Sequence, residues 1–521
     1  MRSLVSRGAA SGWNEAHGRS LSGATTTGAV AHMRGLRGRQ ILVLACAAQA
    51  ASAQAHSFGK TFVLPLPVWI YAAAAAVSLV LSFLMIGMFV KVSDAQRYDR
   101  AIAVKVGWLQ ALCGRMRIRN IGQGLSLFML LVCIATGFFG RNQAYLNFNM
   151  TFFWVIFALG LTYLTALVGN VFSVLNPWKI LSELVGLAVP GFGAGKVRWR
   201  DSWGCYPAFI LYSAFIWIEL FGRTDPRSLS TILLGYTALN LVASWLFGAR
   251  AWFRFGEFFS VYFELVGRIS PFRLARDPDN RLVLYVGQPC RRLLEAPASH
   301  RSEVLFILFM LSSTAFDGFK DTVLWIGLYW KHFYVFVTTL LSLDMIQTYS
   351  AFQRAYAVVQ SVAVPGSAYF YLGFYVPLFA ATRAFARTDR STNELVLAFV
   401  QTLVPIAVVY NAAHYLASFL SEGPKIVNLI SDPMGFGWNL FGTKHWAYST
   451  LTDGWLTMDL IWMFQVWVII LGHVMSVYLA HVVALRVFDR ADVARSQVPI
   501  LLLMVTLTTL GLWILSLPLS A

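Results

Sequence analysis

Residues 396–418 read VLAFVQTLVPIAVVYNAAHYLAS, and this stretch decides the fold class of the chain. It runs for 23 residues without an Asp, Glu, Lys or Arg. A helix needs about 20 consecutive apolar residues to cross the hydrocarbon core of a bilayer. The stretch therefore predicts a membrane-spanning helix that carries one histidine, His414.

The composition of the whole chain extends this prediction. The chain has 521 residues, of which 58% are hydrophobic and 12% are charged, whereas soluble proteins carry roughly 45–50% apolar and about 25% charged residues. This deficit of charge excludes a soluble globular protein, a disordered chain and an ordinary nucleic-acid-binding protein. The net charge of +17 does not indicate nucleic-acid binding, because the basic residues form no clustered arm with interleaved aromatic residues.

Eleven apolar runs are long enough to cross a membrane, and they predict an all-α polytopic membrane protein. Residues 56–249 are expected to form a first bundle of five helices, and residues 250–302 a basic cytoplasmic loop. Residues 303–521 are expected to form a second bundle with an external loop at 419–457. The runs cover residues 66–90, 122–140, 149–175, 205–222, 230–249, 303–320, 331–350, 366–384, 396–418, 458–485 and 498–518.

Residues 1–55 have the features of an N-terminal extension followed by a cleaved signal peptide. Three arginines precede a short apolar run at 41–53, and an A-x-A cleavage site ends at Ala55, as in secretory signal peptides. Cleavage there leaves His56 as the first residue of the mature chain, outside the cytoplasm. Two alternatives remain open, namely a lipoprotein site at Cys46 and a start of translation at Met33.

Basic residues in the loops set the predicted orientation. Loops 91–121, 176–203 and 250–302 carry many Lys and Arg residues, and the positive-inside rule places them in the cytoplasm. If all eleven runs crossed, the arginines at 383–390 and at 486–495 would face outward. If one of the three runs between 303 and 384 does not cross, the rule holds for both groups. We therefore expect about ten crossings of a bacterial inner membrane, with both mature termini outside.

Two segments are expected to depart from a regular helix. The polar residues 317–321 lie at the outer end of their predicted span and are the expected irregular element, since such backbone is tolerated where it lines a cavity. In loop 250–302, a turn at 277–280 precedes the strand-like residues 281–287, which predicts a small cytoplasmic hairpin.

Ionisable side chains inside the predicted spans are candidates for chemistry, because a charge in the membrane is costly. A histidine there can equally join two helices by a hydrogen bond. His473 and His481 are separated by a helical rise of about 12 Å, which is too long for both to bind one metal ion. A single site would join His414 to one of them, with a carboxylate from Asp317, Asp321 or Asp432. The candidates inside spans are Glu219, Asp344, His414, Asp459, His473 and His481.

The predicted N-terminal residue is a separate candidate metal ligand. A free α-amino group beside an imidazole chelates copper when a second histidine joins them. No histidine follows His56 nearby in sequence. Copper chelation at His56 is therefore kept as a hypothesis.

Several short segments have a family-like pattern and occur in the following order along the chain: His56–Lys60, Leu64–Trp69, Ser313–Gly318, Leu403–Ala407, Ala413–Tyr415, Ser431–Pro433, Gly437–Thr443, Gly472–Val474 and Leu479–His481. Together they resemble a bacterial membrane-protein family commonly labelled fenitrothion hydrolase. Where relatives of this kind often read His-Ser-Leu-Val-Pro, this chain has Gln401-Thr402-Leu403, so a role assigned to that histidine does not transfer to Gln401.

The resemblance implies an integral-membrane hydrolase that acts on organophosphorus triesters such as fenitrothion, a hydrophobic substrate that reaches its site from the lipid. Cleavage of a P–O–aryl ester needs an activated water, and a divalent metal ion can lower the pKa of its water toward about 7. The hypothesis is that His414 and His473 hold a metal ion or act as general base, positioned by Asp317 or Asp432. His481 and His56 are further candidate metal ligands.

A second function remains open on the residues alone. Intramembrane His and Asp side chains also occur in the pathways of transporters. The alternative interpretation is therefore a membrane transporter or a metal-handling protein.

Overall fold

The computed structural model describes residues 68–89, 98, 100–105, 107, 118–276, 278, 281–295, 297–446, 457–489 and 492–516. The predictions about the signal peptide, Met33, Cys46 and His56 lie outside these residues. The chain is an all-α polytopic membrane protein, and 78% of the described residues are helical. Within the described ranges, nine helices are long and apolar enough to cross a membrane.

The helices of the first half follow the five predicted spans, and shorter helices lie between some of them. The first helix, α1, coincides with the first predicted span and packs against the last two long helices of the chain. The third helix contains a π-helical segment, Thr151–Gly160. The bounds are α1 Val68–Phe89, α2 Ile118–Phe139, α3 Phe148–Val168, α4 Pro177–Ala188, α5 Tyr206–Phe221, α6 Pro226–Phe247 and α7 Phe258–Gly267.

The second half is built around α8, in which almost every residue is buried. Helices α10 and α12 pack on α8, and α13 packs on α12. A 3₁₀ turn, Val400–Leu403, joins α11 to α12. The bounds are α8 Arg301–Lys320, α9 323–340, α10 Met345–Phe385, α11 Thr392–Phe399, α12 Val404–Glu422, α13 Met458–Val487 and α14 Val493–Ser516.

A three-stranded antiparallel sheet joins two of the loops that were predicted to be cytoplasmic. Its strands are β1 Ala101–Lys105, β2 Phe272–Arg276 and β3 Leu282–Gly287. Strands β2 and β3 form the hairpin predicted within loop 250–302, with Arg273 opposite Tyr285. Strand β1 pairs with the other edge of β3, a long-range pairing that sequence reasoning did not predict.

The run predicted at 331–350 is not one helix. It is divided between α9, which ends at Leu340, and α10, which begins at Met345 after a turn. The Tyr329 hydroxyl donates to the Phe352 carbonyl at 2.8 Å, so α9 and the start of α10 form an antiparallel hairpin. Helix α10 has 41 residues, about 60 Å by helical rise and twice the roughly 30 Å hydrocarbon core. Which of the three runs between 303 and 384 does not cross stays a prediction.

The expectation of irregular backbone at 317–321 is wrong for most of that segment. Helix α8 is regular through Lys320, and the break begins at Asp321. The Lys320 ammonium lies within ion-pair distance of both Asp317 and Asp321. The buried Lys320 ammonium is thus paired within the polar segment, which is helical up to Lys320.

Candidate active site

Asp317, on the last turn of α8, is the centre of a buried polar cluster. One of its carboxylate oxygens, Oδ2, lies 2.9 Å from Nε2 of His414 on α12. The Tyr415 hydroxyl donates to the same oxygen at 2.7 Å. The Asp317 side chain is only 7% exposed, so the two contacts form away from bulk water and fix the carboxylate.

Lys320 provides the positive charge of the cluster. It lies one turn after Asp317 on α8, and its Nζ is 3.4 Å from Asp317 Oδ1. The same ammonium group pairs with Asp321, and the Lys320 side chain is buried. A buried charge is tolerated when it is paired and hydrogen-bonded, and Lys320 meets this condition through the two carboxylates.

Glu219 adds a second carboxyl group from a third helix. It lies near the C-terminal end of α5, and its side chain is beside the Tyr415 hydroxyl and close to Asp317. The starts of α5 and α8 are adjacent, because the Cys205 amide donates to Ser302 Oγ at 2.6 Å. Glu219 and Asp317 follow these two residues by 14 and 15 positions, so the two parallel helices bring both carboxyl groups to the same level.

The helices approach closely around the cluster. A Cβ at Gly318 would lie only 2.7 Å from Ile514 on α14, so this position favours glycine, whereas its distance of 3.5 Å from His414 Cε1 is ordinary van der Waals contact. Asn411, one turn before His414, donates to Thr314 Oγ1 of α8 at 3.4 Å. These contacts fix α12 against α8 and thereby orient the His414 ring.

His414 lies where α12 leaves the packed core. All but one of residues 400–410 are buried, whereas residues 414–422 are all half-buried. The His414 side chain is 19% exposed. Its second ring nitrogen, Nδ1, makes no hydrogen bond with any residue that the structure describes. The histidine therefore has one nitrogen fixed by Asp317 and a second nitrogen that the described residues leave without a hydrogen bond, on a partly exposed ring.

The structure does not bring His473 or His481 into this cluster. His473 Nδ1 donates to the Ile469 carbonyl of its own helix at 2.7 Å. Its Nε2 is buried and has no partner in the described part of the chain. His481 Nδ1 lies 3.0 Å from Gln497 Oε1 and joins α13 to α14. Both residues are buried, but only His481 joins two helices, as the alternative of a helix-joining histidine predicts.

Asp432 has a local role in the segment after α12. Its two oxygens accept hydrogen bonds from the Phe436 amide at 2.9 Å and the Gly437 amide at 2.8 Å. Its side chain also lies 3.5 Å from Lys444 Nζ. Asp432 therefore organises a turn, which was the alternative to its role as a ligand.

The remaining ionisable candidates from the sequence lie outside the cluster. Asp344 caps α10 by accepting from the Ile346 and Gln347 amides, and Asp459 lies in the first turn of α13. Gln401, at the position where relatives often have histidine, is buried and accepts from Arg268 at 3.4 Å.

The described residues do not fit a metal site of the expected kind. Among them, no three His, Cys, Asp or Glu side chains are arranged to hold one ion. The Lys320 ammonium already neutralises Asp317, and a divalent cation at that carboxylate would be repelled by it. We therefore derive no chemical step through a metal ion. Metal binding by His414, His473 and His481 stays a prediction.

Sequence reasoning named Asp317 and His414 but missed Tyr415 and Lys320 as members of the site. A signal for Lys320 was its spacing of three residues from Asp317 on a helix, which places both on one face. Glu219 was identified as an ionisable residue inside a span, without a partner. Comparison of the chain with protein-family models, curated proteins and solved structures finds no match.

Proposed function

We propose that the protein is a membrane-bound hydrolase that cleaves the P–O–aryl bond of apolar organophosphorus triesters of the fenitrothion type. The observation that carries this proposal is the contact between His414 Nε2 and Asp317 Oδ2 at 2.9 Å. A carboxylate at one ring nitrogen fixes the tautomer of the imidazole, so the other nitrogen is available as a general base.

The reaction assigns a distinct task to each group. His414 Nδ1 takes a proton from a water molecule while the water oxygen attacks the phosphorus atom. The P–O–aryl bond breaks, and its electron pair leaves with the aryl oxygen. Asp317 holds the ring and stabilises the imidazolium that forms, the task of the carboxylate in Ser–His–Asp sites.

The surroundings of His414 suit a substrate that dissolves in lipid. The ring lies within a membrane helix, at the point where α12 changes from buried to half-buried residues. An apolar triester that partitions into the bilayer reaches such a site without crossing water. The proposed partners of the protein are therefore the lipid bilayer and a hydrophobic small molecule.

The distribution of charge supports an outer-leaflet site in a bacterial inner membrane. The sheet and the segments beside it carry many arginines, among them Arg268, Arg273 and Arg292, and basic loops remain in the cytoplasm. Asp317 lies at the opposite end of α8 from this basic region. With the basic region in the cytoplasm, His414 and Asp317 face the periplasmic half of the membrane.

The test is release of nitrophenol from fenitrothion by purified protein in detergent, with the metal content measured on the same sample. General base catalysis contributes roughly 10²- to 10⁴-fold, so we expect a loss of that order in His414→Gln. His332→Gln is the matched control, because His332 lies exposed on α9. A His414→Gln protein with full activity would refute the assignment, and loss of activity only in His473→Gln would transfer the role to His473.

The same preparation distinguishes the proposed hydrolase from the alternative, a membrane transporter. A transporter reconstituted in vesicles would accumulate the triester or an ion without releasing nitrophenol. Hydrolysis in detergent, where no gradient exists, would exclude transport as the only activity.

A further inference from the structure

The Tyr415 hydroxyl is shared between two carboxyl groups. It donates to Asp317 Oδ2 at 2.7 Å, and the Glu219 carboxyl lies beside the same hydroxyl from α5. Asp317 Oδ2 also lies 2.9 Å from Nε2 of His414. Four groups from three helices thus lie next to one another in the order Glu219, Tyr415, Asp317, His414.

A count of protons shows which of the four groups donates to its neighbour and which accepts. A phenol has one hydroxyl proton, and Tyr415 donates it to Asp317 in their hydrogen bond. An ionised Glu219 would place its oxygens against the lone pairs of the Tyr415 oxygen, beside the charge of Asp317. A neutral Glu219 can instead donate its own proton to Tyr415. In the arrangement that satisfies every contact, Glu219 therefore donates to Tyr415, and Tyr415 and His414 both donate to Asp317.

The phenol also lies next to the base of the proposed reaction. The rings of His414 and Tyr415 are 4.7 Å apart between centroids and meet edge to face. A bound ester at Nδ1 of His414 is therefore adjacent to Tyr415. Tyrosine is one of the side chains that act as general acids in enzymes.

We propose that Tyr415 is the general acid of the hydrolysis and that Glu219, beside it, supplies the proton that Tyr415 transfers. This inference rests on the proposed hydrolase function. Glu219 is a positioning and proton-supplying residue that acts through Tyr415, whereas Tyr415 touches the leaving oxygen.

The protons balance over one turnover. As the P–O–aryl bond breaks, the aryl oxygen takes the Tyr415 proton, and Tyr415 takes the proton of Glu219. His414 has meanwhile taken one proton from the attacking water. His414 then releases that proton from Nδ1 to water while Asp317 stays ionised, and Glu219 takes one proton from water, so that triester and water become a thiophosphoric acid diester and a phenol.

The role of an acid depends on the leaving group. Nitrophenolate is a stable anion and leaves with little help, whereas unsubstituted phenolate needs a proton in the transition state. Loss of the acid therefore slows hydrolysis of a phenyl triester more than that of its nitrophenyl counterpart. A residue with only a structural role changes both rates by the same factor.

The experiment measures the rates of nitrophenyl and phenyl esters of one dialkyl phosphorothioate with purified full-length protein. In Glu219→Gln the side chain keeps its shape but cannot release a proton. We expect the nitrophenyl-to-phenyl rate ratio to rise about tenfold or more, within the usual range for general acid catalysis. Tyr415→Phe should raise the ratio in the same way, and Glu219→Asp should restore it in part.

The matched control is Glu422→Gln. Glu422 lies at the end of α12 and pairs with Lys425 at 2.5 Å. It is not one of the four groups of the proposed proton transfer. The nitrophenyl-to-phenyl rate ratio of Glu422→Gln should equal that of the wild type. A ratio that is unchanged in both Glu219→Gln and Tyr415→Phe overturns the inference, even if both variants are slower. If Glu219→Gln does not fold, Tyr415→Phe and Glu219→Asp decide by the same ratio, whereas a wild type that cleaves neither ester overturns the hydrolase proposal itself.

Discussion

His414 Nε2 on α12 lies 2.9 Å from Asp317 Oδ2 on α8, and this contact joins residues that are 97 positions apart in the sequence. Beside this contact, a Cβ at Gly318 would lie at an ordinary van der Waals distance of 3.5 Å from the His414 ring. Asp317 is held on its other side by Lys320. The carboxylate therefore cannot turn away from His414, and the contact fixes the ring.

Asp317→Asn tests how much the proposed activity depends on this contact. The amide keeps the size of the side chain, but it lacks the charge that stabilises an imidazolium. In a Ser–His–Asp site the equivalent change lowers the rate about 10⁴-fold. We expect a loss of about 10²- to 10⁴-fold in nitrophenol release, measured on purified protein at equal concentration.

Asp344→Asn is the control for this substitution. Asp344 is an exposed cap at the start of α10, and asparagine caps a helix about as well as aspartate. We expect wild-type activity in Asp344→Asn. Equal losses in both variants would mean that the assay reports general damage rather than the loss of an oriented base.

The apolar runs predicted most of the helices because length and hydropathy are local properties. The runs at 122–140 and 230–249 match α2 and α6 within a few residues. The prediction was wrong for α10, whose residues were assigned to two separate runs. The apolar pattern between those runs is interrupted by Gln353, Arg354, Gln360 and Ser361. Helical backbone continues through that segment and through Pro365, since polarity alone does not end a helix.

The candidate site could be predicted only in part. His414 was identified because ionisable residues are rare in apolar segments, and Asp317 was identified as a carboxylate at the outer end of its predicted span. Their pairing with Tyr415 and Glu219 depends on how α5, α8 and α12 pack. That packing is set by contacts such as the one between Cys205 and Ser302, which no local pattern reveals.

Lys320→Met should destabilise the protein more than a surface substitution of the same kind. The Lys320 side chain is 4% exposed, and its loss leaves Asp317 and Asp321 without their shared cation. Breaking a buried ion pair on one side costs about 3–5 kcal/mol. We expect a lower thermal unfolding midpoint in detergent. Lys444→Met, which breaks the more exposed pair with Asp432, should cost less than about 1 kcal/mol, and equal shifts would contradict the buried pairing.

Gly137→Ala should separate α2 from α6. A Cβ at Gly137 would lie 2.0 Å from Ser230 Oγ and 2.1 Å from the Pro226 carbonyl oxygen. Such overpacking typically costs about 1–3 kcal/mol. Gly124→Ala on the same helix is the matched control, because its Cβ would have nothing within 4 Å. We expect a lower unfolding midpoint for Gly137→Ala and an unchanged or higher one for Gly124→Ala, by fluorescence in detergent.

Asp225, the residue that caps α6, should make stability depend on pH. Hydrogen bonds from the backbone amide of Ser228, at 2.7 Å, and from Asn142, at 2.9 Å, hold the pKa of Asp225 below its usual range. A carboxylate with a lowered pKa in the folded state stabilises the protein above its unfolded pKa of about 3.9. That stabilisation is lost as the pH falls through the folded pKa.

Asp225→Asn removes the ionisation but keeps a side chain that caps helices well. The wild type should therefore exceed Asp225→Asn in unfolding midpoint at neutral pH, and the difference should shrink as the pH falls below about 4. The measurement is thermal unfolding in detergent over a series of pH values. A difference that stays constant down to low pH would show that the carboxylate of Asp225 contributes only as a hydrogen-bond acceptor, and not through its charge.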